Sequence, residues 1–149
     1  MNTIVCNKGC CFLKIFSKSK TRKLDTYPFE KRKAGVIVIC NNKILLTQSY
    51  NNIWGIPKGQ MEPFDKNTKE CAERELKEET GLDILLHDTD LYRVIFGNYY
   101  IYKISIQNMD KVNLDNLVNL DASGIGWVDL NCVYDFTLNF ITRHLLMTI

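Results

Sequence analysis

Residues 59–82 constrain this chain more than any other stretch. They read Gly-Gln-Met-Glu-Pro-Phe-Asp-Lys-Asn-Thr-Lys-Glu-Cys-Ala-Glu-Arg-Glu-Leu-Lys-Glu-Glu-Thr-Gly-Leu. Asn67 is a favoured N-cap, with Glu70 at the third helical position of a capping box. Gly81 stands where a helix ends on a left-handed residue. Between them, Ala72 and Leu76 give the helix a narrow apolar edge. At about 100° per residue, Glu75, Glu78 and Glu79 fall within an arc of roughly 100°. Like charges at that spacing repel and give an isolated helix nothing. A hard divalent cation prefers clustered carboxylate oxygens and removes the repulsion. The expectation is a Mg²⁺ or Mn²⁺ site on a helix.

At 149 residues the chain has the length of one domain with a sizeable core. Its 46% hydrophobic and 24% charged residues are those of an ordinary globular protein. No apolar run approaches the ~20 residues needed to cross a bilayer. The patch Cys10-Cys11-Phe12-Leu13 is broken at Lys14 and makes a poor signal-peptide core. We therefore read an intracellular, cytoplasmic protein with no membrane contact.

Cys6, Cys10 and Cys11 form a C-x3-C-C cluster that raises the idea of zinc. A tetrahedral site needs four ligands, and neither His87 nor His144 stands at a finger-like spacing. Cys40 and Cys71 lie in apolar or helical patterns, as small hydrophobes do. Reduced thiols are the expectation for all of these.

The charge is uneven. Residues 1–33 carry nine basic side chains (Lys8, Lys14, Lys18, Lys20, Arg22, Lys23, Lys31, Arg32 and Lys33) against Asp25 and Glu30. That segment has seven excess positive charges, and a net charge of +2 leaves five excess negative charges on the remainder. A basic arm on an acidic body can hold a polyanion near a metal site; a solvated N-terminal segment is the plainer alternative.

Residues 1–30 show no clean periodicity, apart from room for a short helix at 12–16, and are read as a basic extension before a domain at 31–149. Residues 35–40, Gly-Val-Ile-Val-Ile-Cys, are a continuous β-branched run, as in a strand buried on both faces. Asn41-Asn42 makes a hairpin turn into a partner strand at 43–48. Residues 53–59 form a loop whose Pro57 and glycines forbid helix. Two strands at 91–96 and 99–106 flank Gly97-Asn98, a long polar loop spans 107–123, and a short strand follows at 125–130. Phe136, Phe140, Ile141, Leu145 and Leu146 recur at helical spacing. The order predicts helices packed on a mixed sheet.

The opening stretch resembles the Nudix box, G-x5-E-x7-R-E-U-x-E-E-x-G-U, where U is a bulky aliphatic residue. Arg74-Glu75-Leu76-x-Glu78-Glu79-x-Gly81-Leu82 matches its second half at every fixed position, and Gly59 matches its first glycine. Gly59 to Arg74 is one residue longer than the signature. Phe64-Asp65-Lys66 replaces the Gly-Glu pair that precedes the helix, with Asp65 as nearest counterpart of the missing Glu. The resemblance covers roughly residues 34–146. It implies an α/β (α+β) Nudix fold, a mixed sheet sandwiched between helices, and a pyrophosphohydrolase acting on a nucleoside diphosphate linked to another group.

The same resemblance implies roles. Glu78 and Glu79 are the principal metal ligands, Glu75 a further ligand or the general base, and the Gly59 carbonyl another ligand. Arg74 orients a catalytic Glu, and Lys58 contacts a phosphate oxygen. A surface pairing of Arg74 with Glu70 is the duller reading. Trp54 can stack on a base or pack its loop on the core, and Tyr50, Phe96, Tyr99 and Trp127 are further stacking candidates. Asp115, Asp121 or Asp129 can supply a distal carboxylate. The Trp54-Gly55-Ile56-Pro57-Lys58-Gly59 loop resembles that of mRNA-decapping enzymes, while Gly59-Gln60-Met61-Glu62-Pro63 resembles dinucleoside-tetraphosphate and diphosphoinositol-polyphosphate hydrolases. The basic arm tilts the reading toward capped RNA, with an NTP or other small nucleotide hydrolase as rival. A non-catalytic nucleotide- or RNA-sensing module is the alternative of another class, and such modules typically lose box carboxylates that this chain keeps.

Overall fold

A computed structural model describes residues 2–5 (backbone only), 10–17, 19, 21, 31–112 and 122–149. Cys6, most of the basic arm (Lys8, Lys18, Lys20, Arg22 and Lys23), Asp115 and Asp121 lie outside the described residues.

The sheet is built around β3 (Lys33–Cys40). Its continuous apolar run is buried on both sides. Ala34, Val36, Val38 and Cys40 enter one core cluster, and Ile37 enters the other. One edge of β3 pairs in parallel with β8 (Tyr99–Ser105), from Lys33 opposite Tyr99 to Ile39 opposite Ser105. The other edge is shared. β4 (Lys43–Gln48) joins only at Ile39↔Ile44 and Cys40↔Lys43 before diverging to pair with β9 (Gly124–Asp129). The vacated half takes β6 (Lys58–Gln60), with Ala34 opposite Gly59. That division brings the Pro57-Lys58-Gly59 loop into the middle of the sheet.

The predicted hairpin turn at Asn41-Asn42 is present, with both residues at positive φ (48° and 64°) as a tight two-residue turn requires. The second hairpin joins β7 (Leu91–Ile95) to β8, but its turn is centred on Phe96 (φ 55°) and Gly97 (φ 75°) rather than on Gly97-Asn98. Asn98 instead donates through its side-chain amide to the Lys31 carbonyl at 3.1 Å.

Helix α1 (Thr68–Thr80) starts and stops where the sequence places it. The Asn67 side chain accepts the Glu70 N–H at 2.9 Å, and Gly81 closes the helix at φ 78°. Cys71, Ala72 and Leu76 pack on the Val36 side of the sheet. Helix α2 (Phe140–Leu146) lies on the opposite side, where Ile141, Leu145 and Leu146 join Ile37. The sheet is therefore sandwiched between the helices, as expected.

Two local expectations fail. The C-terminal helix is shorter than its apolar spacing suggests, because Asn139 caps it by accepting the Thr142 N–H at 2.8 Å. Phe136 lies before the helix, edge-on to Trp54. Residues 12–16 form no helix. Residues Phe12–Ile15 are strand β2, between β1 (Asn2–Val5) and β9. Phe12 opposes Trp127 and Leu13 opposes Gly126, more than a hundred residues away, so local periodicity could not announce the pairing. β5 (Trp54–Gly55) completes the strands by pairing with the end of β4.

Candidate active site

β6 and α1 face each other on one side of β3. A side chain at Gly59 would overlap the Glu75 carboxylate, so the glycine opens the space in which that group rests against backbone. Arg74 organises the acidic face. Its Nη1 donates to Glu75 Oε1 at 3.1 Å and to Glu78 Oε2 at 3.1 Å. Its Nη2 reaches the Gln60 carbonyl at 3.2 Å. The repulsion anticipated among the carboxylates is thus relieved in part by an arginine. The acidic partners of Arg74 are Asp65, Glu75 and Glu78, in place of the surface pairing with Glu70.

Asp65 supplies what the altered loop left open. Its carboxylate takes both Nε and Nη2 of Arg74 and the Glu62 N–H at 2.9 Å. Arg74 holds the Asp65 carboxyl below the usual carboxylate range, and Asp65 in turn raises the arginine. Behind them, burial pushes the Cys71 thiol up to about 12, with the Asp65 charge adding to the shift. Cys71 is therefore a neutral packing group in this site.

Glu79 is held from the other side, accepting the Lys58 backbone N–H at 2.8 Å. It borders a pocket of about 200 Å³ lined by Thr47, Ser49, Tyr50, Gly55, Ile56, Lys58, Glu79 and Asn139. Glu75, Glu78 and Glu79 do not all lie within 4.8 Å of one another. Their chemistry still fits a hard cation: three carboxylates with a backbone carbonyl at Gly59, where a Cβ would close the space.

The structure thus brings together Gly59, Lys58, Arg74, Glu75, Glu78 and Glu79. It does not bring Trp54, which is 6% exposed and sits in the core against Phe136. Trp127 is likewise buried, and Phe96 stacks on Phe140. Tyr99 accepts from Lys33 Nζ at 3.0 Å. Of the stacking candidates, Tyr50 is the one that lines this pocket. Asp129 pairs with Lys43 at 3.7 Å, at the end of β4 remote from Gly59. The length of β3 from Ala34 to Cys40 separates the two by about 20 Å at ~3.3 Å per residue, too far for a distal carboxylate. Sequence reasoning missed Thr47, Ser49 and Asn139. Asn139 was discoverable as a cap residue ahead of the apolar stripe.

A family model described as NUDIX domain matches residues 30–138. The chain belongs to that family and is a Nudix hydrolase, a class that generally uses divalent metal ions. It is 56% identical over 152 residues to hydrolase 111R of Invertebrate iridescent virus 3, a provisional designation, covering 100% of this chain and 90% of the relative. Among solved structures, an Ap4A hydrolase of C. elegans in a binary complex superposes with a TM-score of 0.59 at 22% identity, covering 78% of this chain and 93% of that one. The NUDIX domain of Shewanella oneidensis NrtR, complexed with ADP ribose, gives 0.61 at 16% identity, covering 83% and 90%. At these identities the structures speak for the fold. Among the described residues, no helix is long and apolar enough to cross a membrane.

Proposed function

We propose that this chain is a Mg²⁺- or Mn²⁺-dependent pyrophosphohydrolase that cleaves a diphosphate linkage next to a nucleoside, at the 5′ end of capped RNA. The observation that carries the reaction is the α1 face, where Arg74 braces Glu75 and Glu78 beside the open Gly59 backbone. In this reading Glu78, Glu79 and the Gly59 carbonyl hold the metal. Glu75 is a further ligand or the base that removes the proton of the attacking water. Lys58, on the pocket wall, meets a phosphate oxygen. A bound divalent cation supplies charge neutralisation of the diphosphate and a more acidic water.

The substrate preference rests on where the arm meets the body. The Ser19 hydroxyl donates to the Ser49 carbonyl at 2.5 Å and accepts the Asn52 N–H at 2.9 Å. Ser49 lines the pocket. Ser19, flanked in sequence by Lys18 and Lys20, is therefore anchored at the pocket rim. Lys31 and Arg32 line a second groove, with Gln60, Glu62 and Asp65. A small polar pocket bordered by Tyr50 also suits one base of a dinucleoside polyphosphate, which is the second reading.

The test begins with Glu78→Gln, expected to abolish metal-dependent hydrolysis while leaving the fold intact; unchanged turnover overturns the reaction. Neutralising Lys18, Lys20, Arg22 and Lys23 to Gln is then expected to lower kcat/KM for capped RNA and spare dinucleoside polyphosphates. The salt dependence of RNA cleavage should become shallower by about 0.7 in log–log slope for each phosphate that the arm no longer neutralises. Unaltered RNA cleavage removes the case for RNA.

A further inference from the structure

The Sγ atoms of Cys10, Cys11 and Cys132 all lie within 4.8 Å of one another, the one such grouping of three or more His, Cys, Asp or Glu side chains among the described residues. Cys10 and Cys11 are 3.8 Å apart, Cys11 and Cys132 3.7 Å, and Cys10 and Cys132 2.6 Å. With Zn–S near 2.3 Å, tetrahedral geometry places two thiolates about 3.8 Å apart. Two of the three edges already have that length. The third is too close for two protonated thiols at rest and too long for the ~2.05 Å of a disulfide. Cys10, the partly exposed member, lies ahead of β2 and can open that edge by moving outward.

The surroundings suit a metal thiolate. Cys11 and Cys132 are almost fully buried within the α2-side core. The Asp129 backbone N–H points at Cys11 Sγ from 3.3 Å, a donor that stabilises a thiolate far more than a thiol. The Asp129 turn is itself fixed, since Cys132 N–H meets the Asp129 carbonyl at 2.9 Å and Asn131 N–H meets its carboxylate at 2.8 Å.

We propose that Cys10, Cys11 and Cys132 are ligands of a structural zinc site. Each of these thiols that binds Zn²⁺ makes one Zn–S bond and releases its proton to solvent. Carboxylate-preferring Mg²⁺ does not compete for such soft ligands. The site lies at the Asp129 end of the sheet, remote from Gly59, so its work is mechanical. It fastens β2, which falls outside the matched family region, to the turn that follows β9. A four-residue strand gains little stability alone.

The test uses the full chain with Glu78→Gln and Glu79→Gln, so that the carboxylate face does not retain zinc. Elemental mass spectrometry after dialysis against Mg²⁺ should find one zinc per chain, and an organomercurial should release it as the ligand thiols react. Cobalt replacement should give a thiolate-to-metal charge-transfer band that weakens in Cys10→Ser and vanishes in Cys132→Ser. Cys10→Ser removes the partly exposed ligand and keeps the test valid if the buried variant does not fold. Zinc content unaffected by Cys10→Ser overturns the proposal. So does metal-free protein after exposure to zinc, or an intact mass short of two hydrogens with Cys10 and Cys132 peptides joined.

Discussion

Arg74 and Asp65 meet in a two-pronged contact, Nε to Oδ1 at 3.0 Å and Nη2 to Oδ2 at 2.8 Å. Bidentate pairs of this kind fix orientation as well as distance. The Asp65 side chain is 3% exposed, and the Phe64 ring lies 5.1 Å from the guanidinium carbon. The loop that departs from the family signature therefore holds the arginine that positions Glu75 and Glu78. Under the proposed reaction, Asp65 is a positioning residue that acts on the substrate through Arg74 and the carboxylates it braces.

Asp65→Asn should leave the fold standing and lower kcat far more than it raises KM, since the Glu75 and Glu78 orientation depends on the anchored arginine. Charge-assisted bonds of this kind are worth about 1.5–3 kcal/mol each before screening, and the partly exposed Arg74 brings the net loss to about 1–2 kcal/mol. Arg74 lowers the folded-state pKa of Asp65 from its ordinary 3.8. The stability it contributes is therefore fully present above that value and is lost as pH falls through the depressed one. Denaturant midpoints measured from pH 6 downward should fall more steeply below pH ~4 in the parent than in Asp65→Asn. Equal acid limbs would disprove the linkage.

The strands and α1 were legible because their signals are local. Unbroken β-branched apolar residues mark β3, Asn41-Asn42 a tight turn, and Asn67 and Gly81 the limits of α1. β2 was not legible, because its partner β9 is distant in sequence and a four-residue strand carries too few alternations to register. The box carboxylates and Arg74 were readable from type and spacing. The role of Asp65 was not, since only the folded loop shows it turning back on Arg74. Trp54 illustrates the converse: an aromatic beside a catalytic loop looks available until the Phe136 side of the core closes over it.

Gly59→Ala places a methyl group into the Glu75 carboxylate. The flexible side chain can swing away, so stability should fall by only about 1 kcal/mol, within the usual range for single substitutions. Activity should fall by at least about a hundredfold, as misplacement near 1 Å does in other sites. Thermal midpoint and single-turnover rate, measured on one preparation, check this; a rate within threefold of the parent would show that Glu75 has no role at this position.

Asn67→Ala removes the acceptor of the Glu70 N–H at the start of α1. A lost N-cap typically costs about 1 kcal/mol. Glu75, Glu78 and Glu79, the carboxylates proposed to act in the reaction, sit in the second half of the helix, beyond the frayed turn. The expected result is a lower denaturant midpoint with kcat almost unchanged, and a large loss of kcat would mean that the whole helix, rather than its first turn, responds to the cap.

Metal addition should separate the two ends of the molecule. A ligand that binds only the folded state raises stability by RT ln(1 + [L]/Kd), about 2.7 kcal/mol at a hundred times Kd. Mg²⁺ should therefore raise the thermal midpoint of the parent and leave Glu78→Gln/Glu79→Gln unmoved, because the oxygen site depends on those carboxylates. A thiol-directed mercurial should lower the midpoint of both proteins equally, since the three cysteines lie at the other end of the sheet. Turnover after chelation should return with Mg²⁺ alone, before any zinc is restored. If hydrolysis instead followed zinc occupancy and ignored Mg²⁺, the reaction would have to be moved from Glu75, Glu78 and Glu79 to the cysteine end.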